Sequence, residues 1–158
     1  MEIIDLVTHI AAPIQTCFEL SLDIDLEIQA AADYGIRAIS GKCSGRIGRG
    51  ERVGWKTKQF GFTVSHVSEI TTFEPPAYFE DRMISGIFRS FEHHHHFTSS
   101  GPRQTEMRDV LKFSMPLFLW GVISEKILVR RRLVTLLQKR NNRLKRVAES
   151  RPCPEPFE

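Results

Sequence analysis

Apolar and polar residues alternate from Glu2 to Ile10, with Ile4, Leu6, Thr8 and Ile10 on one side and Ile3, Asp5, Val7 and His9 on the other. That is the period of a strand with one more apolar face. Pro13 follows, where a fixed φ suits the start of a helix, and Ile14, Phe18 and Leu22 recur every four residues, which predicts a short helix. Asp23 and Asp25 offer caps for a second short helix through Ala32, and Gly35 supplies a left-handed stop. From Arg37 to Ser114 the period returns to two. Turn chemistry at Gly48-Arg49-Gly50, Gly61, Pro75-Pro76, Gly86 and Ser99-Ser100-Gly101-Pro102 divides this stretch into strands near 37–44, 51–59, 62–72, 77–84, 88–98 and 104–114. After Ser114 and Pro116 no proline occurs until Pro152, which predicts one long helix of about 50 Å. On it Trp120, Ile123, Ile127, Val134, Leu137 and Leu144 share a stripe.

The predicted order is strand, two short helices, six meandering strands and a long amphipathic helix, an α+β arrangement. Short turns make successive strands antiparallel, and a seven-stranded antiparallel sheet must curve around the long helix to bury its apolar stripe. The space between sheet and helix becomes a cavity. The chain of 158 residues fits one domain, expected over 1–150, with the proline-rich 151–158 as an irregular tail.

Composition changes this picture little, but charge placement changes it more. The net charge of +3 is too small to imply a polyanion partner. Lys126, Arg130, Arg131, Arg132, Lys139, Arg140, Arg143, Lys145, Arg146 and Arg151 nevertheless crowd onto the last helix, against Glu149. This basic face reads either as a solvated surface or as a weak contact for an anionic membrane surface. Nucleic acid is not expected, because no aromatic platform accompanies the arginines. Cys17, Cys43 and Cys153 are odd in number and form no CxxC pair, so neither a disulfide framework nor a structural zinc site is indicated. With no basic leader and no apolar run long enough to span a bilayer, a cytoplasmic location is expected.

The candidate chemistry lies in His93-His94-His95-His96, which is internal and flanked by Phe91 and Phe97. Alternation places Phe91, His93, His95 and Phe97 on one face, the inward one, and Glu92, His94, His96 and Thr98 on the other. His93 and His95 are then polar groups in an apolar cavity, about 7 Å apart along the strand. Asp81, on the preceding strand, can share their face, although a one-residue slip would reverse it. An Asp beside a neutral imidazole suits acid–base chemistry, and the same groups can instead only orient a ligand. A metal on the H-x-H pair would need a third ligand, for which His66 and Asp81 are the nearby candidates; no metal or other cofactor is expected. The cavity wall is expected to include Val53, Trp55, Thr57, Phe60, Phe62, Val64, Ile70, Phe79, Met83, Phe91, Phe97 and Trp120. Gly45-Arg46-Ile47-Gly48-Arg49-Gly50 is read as a hairpin turn, since no helix follows it as a dinucleotide fingerprint requires.

Several segments together resemble the SRPBCC superfamily of START and Bet v 1 proteins. VTHIAAPIQTCFELSLD is similar to its strand-AP-helix opening and GRIGRGERVGW to its first long hairpin. FEPPAYFEDRMISGIFRSFEHHHHF resembles its paired central strands, departing at Met83 and at Ile87, where proline is usual, and LLQKRNNRLKR resembles its final helix. The resemblance implies a helix-grip fold used by hydrophobic-ligand carriers, hormone receptors, and polyketide cyclases and dehydratases. It makes binding of a small aromatic, polyketide-like or acyl ligand the leading expectation. A cyclase or dehydratase using His93, His95 and Asp81 is the second, and an interaction module with a filled interior the third.

Overall fold

The computed structural model describes residues 1–59, 62–115 and 126–152, with the side chains of Gln59, Phe62 and Lys126 outside the description. The strands are β1 (Glu2–Ile10), β2 (Arg37–Gly41), β3 (Arg52–Gln59), β4 (Phe62–Glu74), β5 (Tyr78–Ser85), β6 (Ser90–Gly101) and β7 (Gln104–Ser114). They form one seven-stranded antiparallel sheet in the order β1-β7-β6-β5-β4-β3-β2. Consecutive strands from β2 to β7 are neighbours in an antiparallel meander, and β1 closes the far edge beside β7. Register shifts between Val67 and Ser68, between Ile70 and Thr72 and between Ala38 and Ser40 bend the sheet as bulges do.

Between β1 and β2 lie α1 (Ile14–Ser21), α2 (Ile24–Ala30) and a single 3-10 turn at Ala32–Tyr34. Pro13 occupies the position before α1, and Asp23 caps α2 by accepting hydrogen bonds from the backbone N–H groups of Asp25 (2.9 Å) and Leu26 (3.2 Å). Asp25 is therefore not the cap; its carboxylate accepts from the Gly45 N–H instead. Gly35 ends the 3-10 turn at φ 59°, the left-handed conformation glycine adopts at little cost.

The last helix, α3, is described over Lys126–Ser150, about 37 Å of helix. The stretch that would carry its start at Pro116, with Trp120 and Ile123, lies outside the described residues. Its buried stripe is Val129, Leu137, Arg140, Asn141, Leu144 and Ala148. Ile127, expected in that stripe, is 66% exposed, because the face turned to the sheet is phased on Val129 and Leu133 rather than on residue 127. The far end of α3 is tied down by polar contacts: Glu149 accepts from the Ala11 N–H (2.9 Å), and Lys145 donates to the His9 carbonyl (2.8 Å). No helix among the described residues is long and apolar enough to cross a membrane.

The core has two parts. Phe18 of α1 sits edge-on to Phe73, Phe79 and Phe97 and anchors one; Ile4, Leu111, Phe113, Val129 and Leu137 form the other. Burying a side chain such as Phe18 stabilises the fold by roughly 2–3 kcal/mol. Residues from both parts line the cavity between sheet and α3.

Candidate functional site

The cavity has a volume of about 480 Å³. Its wall is mostly apolar: Val53 and Trp55 from β3, Val64 and Ile70 from β4, Phe79 from β5, Phe91 from β6, and Leu133, Leu136 and Leu137 from α3 all face it. Ile87 and Phe88, in the β5–β6 turn, contribute as well. Such a wall favours apolar ligands by burying their surface, while a few polar groups fix orientation.

The predicted wall residues fall into three groups. Trp55, Val64, Phe79, Phe91, His93, His95 and Asp81 line the cavity, as do Val53, Thr57 and Ile70. Phe97 faces inward but packs on Phe18 and Phe79 in the core, away from the cavity, and Met83 also does not reach it. Met83 lies nearer the free end of the β5–β6 hairpin, with its sulfur beside Gly86. Phe60, Trp120 and the side chain of Phe62 lie outside the described residues.

The polar groups gather on the central strands. Asp81 pairs with His93 across β5 and β6, and His95 pairs with Asp109 across β6 and β7. The register that the sequence left open therefore puts Asp81 on the histidine face. The His93 and His95 rings lie 3.8 Å apart between centroids, much closer than their backbone spacing, because both turn toward one carboxylate. Nε2 of His93 donates to Oδ1 of Asp109 at 3.0 Å. Nδ1 of His95 lies 2.9 Å from the same oxygen but is not aligned with it, so the contact is electrostatic and that buried nitrogen makes no directed hydrogen bond. The other face of the His95 ring stacks on Phe79 at 4.0 Å.

Asp109 is fully buried and has two further partners, both from α3. The Asn141 amide donates to its Oδ2 at 2.7 Å, and Nη1 of Arg140 stands 3.5 Å from Oδ1. Arg140 is itself 6% exposed; it donates to Glu27 through Nε (2.8 Å) and to the Ser21 carbonyl through Nη2 (3.0 Å). It therefore belongs to the interior and not to the basic face expected of α3. Arg132 also turns in toward the cavity, over the Tyr34 ring.

Burial opposes the charge on Asp109, but the hydrogen bond from His93 and the contact with His95 outweigh it and hold the carboxyl well below the usual carboxylate range. Burial pushes His95 well below the ordinary imidazole value, so its ring is neutral. Burial also raises Asp81, only partly offset by His93 and by a hydrogen bond with Ser68. The surface that Asp81 retains faces the cavity rather than bulk water. His66, also lining the cavity, is lowered by burial to about 4. The site thus holds an ionised Asp109, a carboxyl group at Asp81 that favours its proton, and neutral imidazole at His95 and His66.

Asp109, Arg140 and Asn141 were not expected from the sequence. A signal for Asp109 exists: on β7 it interrupts the inward series Thr105, Met107, Leu111 and Phe113, and an acid on a buried strand face requires partners. Nothing local marks Arg140, whose partner Glu27 lies on α2.

No protein-family model matches this chain, and no curated protein matches its sequence. Solved structures do resemble it over nearly its whole length. A protein from Thermus thermophilus superposes with TM-score 0.71 at 17% identity, covering 95% of this chain and 100% of its own. A START superfamily protein from Mycobacterium smegmatis superposes with TM-score 0.68 at 15% identity, covering 92% of this chain and 98% of its own. The chain has the helix-grip fold of START proteins. The Zhui aromatase/cyclase from a Streptomyces species shares this helix-grip arrangement, with TM-score 0.68 at 12% identity over 94% of this chain and 96% of its own. Identities this low speak for the fold and leave the chemistry to the residues of this helix-grip chain.

Proposed function

We propose that this helix-grip protein binds a small hydrophobic molecule, aromatic, polyketide-like or acyl, between its sheet and α3. The observation that carries the proposal is a cavity of about 480 Å³ with an apolar wall and a cluster of polar groups at Asp81, His93, His95 and Arg140. Its volume lies within the range of small-molecule sites, roughly 300–1,000 Å³. Trp55, Val64, Phe79 and Phe91 supply apolar contact, and the polar cluster orients whatever oxygen or nitrogen the ligand carries. Glu27 and Asp109 flank Arg140 and compensate its charge, which favours a ligand without a strong charge of its own.

A second reading is favoured by one observation: Asp81, inclined to keep its proton, and neutral His95 share one cavity, the two partners that acid–base catalysis requires. In that reading Asp81 or His93 donates a proton and His95 accepts one during cyclisation or dehydration of a polyketide-like substrate. The aromatase/cyclase among the structural neighbours shows only that the fold supports such chemistry.

Titration with Nile red, a neutral apolar fluorophore, tests the binding proposal. Saturable binding that competes with candidate aromatic or acyl compounds supports it; no saturable binding contradicts it. His95→Ala separates the readings: a binder keeps most of its affinity and shows no turnover in either form, whereas an enzyme keeps affinity and loses turnover.

A further inference from the structure

Among the described residues, His93, His95 and Asp109 bring one ligand atom each to within 4.8 Å of one another, and all three are buried. The third ligand comes from β7, the strand paired with β6, and not from His66 of β4 or Asp81 of β5, the candidates the sequence offered. We propose that Nε2 of His93, Nδ1 of His95 and Oδ1 of Asp109 form a site for a first-row divalent cation, zinc foremost, whose open position is left to water or to an oxygen of the cavity ligand.

Three observations carry this. First, Nδ1 of His95 is buried and close to Asp109 yet makes no directed hydrogen bond, an expensive arrangement for a polar atom unless something else engages it. Second, the spacing is near that of a coordination sphere. Metal–ligand bonds of about 2.0–2.2 Å in a tetrahedral site separate the ligands by about 3.3 Å, and the two nitrogens stand 3.0 and 2.9 Å from the carboxylate oxygen. Outward movement of a few tenths of an ångström admits the ion. Third, the outer shell is in place. Asn141 holds Oδ2 of Asp109 at 2.7 Å and so fixes the oxygen left to coordinate, the role outer-shell donors play around protein-bound zinc.

Charge accounting agrees. Glu27 and Asp109 place two carboxylates around Arg140, while Arg132 sits about two turns earlier on α3, over the Tyr34 ring and beside the Lys58 carbonyl. The two carboxylates outnumber the one guanidinium, which stands 3.5 Å from Oδ1, and leave one negative charge for a bound cation. The cation takes the place of the proton that Nε2 of His93 shares with Asp109, and that proton leaves to water, as metal binding at a histidine requires. With two histidines, one carboxylate and an open position, the set is that of an open site and not of a closed structural one.

Co2+ titration of metal-stripped full-length protein tests the site, because cobalt in such a ligand set shows visible ligand-field absorption. The proposal expects saturable absorption that zinc displaces. It expects loss of that absorption in His95→Ala and in Asp109→Asn, each checked for folding by circular dichroism. Asn141→Ala should bind roughly 10- to 100-fold more weakly. His94→Ala is the control, since His94, Glu80 and Glu92 group their own ligand atoms on the outer face, and it should keep the signal. Folded wild-type protein without the absorption at excess Co2+, or unchanged affinity in folded His95→Ala, overturns the site. Nile red binding is measured separately, so loss of the metal proposal and loss of the cavity proposal are distinguishable.

Discussion

The Asn141 side chain of α3 reaches Asp109 on β7 at 2.7 Å, joining the closing helix to the centre of the sheet through a fully buried carboxylate. Asn141 also donates to Thr8 of β1 at 3.2 Å, so one amide touches the helix, the sheet edge and the polar cluster. The position of α3, and with it the shape of the cavity, depends on this contact as well as on apolar packing.

Asp109→Ala strands the His93 and Asn141 donors and leaves Arg140 without its inner counter-charge. Removing one partner of a buried charged pair costs about 3–5 kcal/mol. Urea denaturation should show a loss of that order, whereas Asp5→Ala, which breaks an exposed pair with Arg108, should leave the midpoint nearly unchanged.

Phe97 tests the distinction between core and wall. Phe97→Ala should destabilise the protein by about 3–5 kcal/mol, the cost of truncating a buried phenylalanine. Nile red affinity per folded molecule should change little. Phe91→Ala, on the wall, should lower that affinity.

Filling the cavity should separate binding from folding. Leu136 faces it from α3, so Leu136→Trp occupies ligand space without breaking the polar cluster. The thermal midpoint should be held or raised, and Nile red affinity should fall at least tenfold, a loss of about 1.4 kcal/mol.

The neutral imidazoles make stability depend on pH. His66 carries a proton below about 6.5 in the unfolded chain but only below about 4 in the folded one. Between these values the unfolded state binds more protons, so stability rises with pH through that window and falls as acid is added. His95, lowered in the same direction, adds to the slope. Chemical denaturation from pH 4 to 7 should show the rise, and His66→Gln should flatten it without abolishing it.

Much of this was legible in the residue pattern because strands and amphipathic helices report their faces locally. The alternation around Phe91 placed His93 and His95 inward, and Asp23 marked the start of α2, whereas α2 stops at Ala30, short of the expected Ala32, and Gly35 ends the 3-10 turn that follows it. What was not legible depends on partners remote in sequence. Arg140 looks like one more cation on a basic helix until Glu27 and Asp109 are brought to it, and burying it is tolerable only with both in place. Phe97 and Phe91 share a strand face, yet only Phe91 reaches the cavity, because α1 packs over the other end of β6 and fills the space with Phe18. Alternation assigns a side of the sheet; the helices covering that side decide which residues line open space.

Native mass spectrometry of gently purified wild-type and Leu136→Trp protein tests the proposed binding most directly. A small organic molecule retained by the wild-type chain, released on denaturation and missing from Leu136→Trp is the expected result. A wild-type chain that flies at its bare mass and takes up no added aromatic or acyl compound would contradict it.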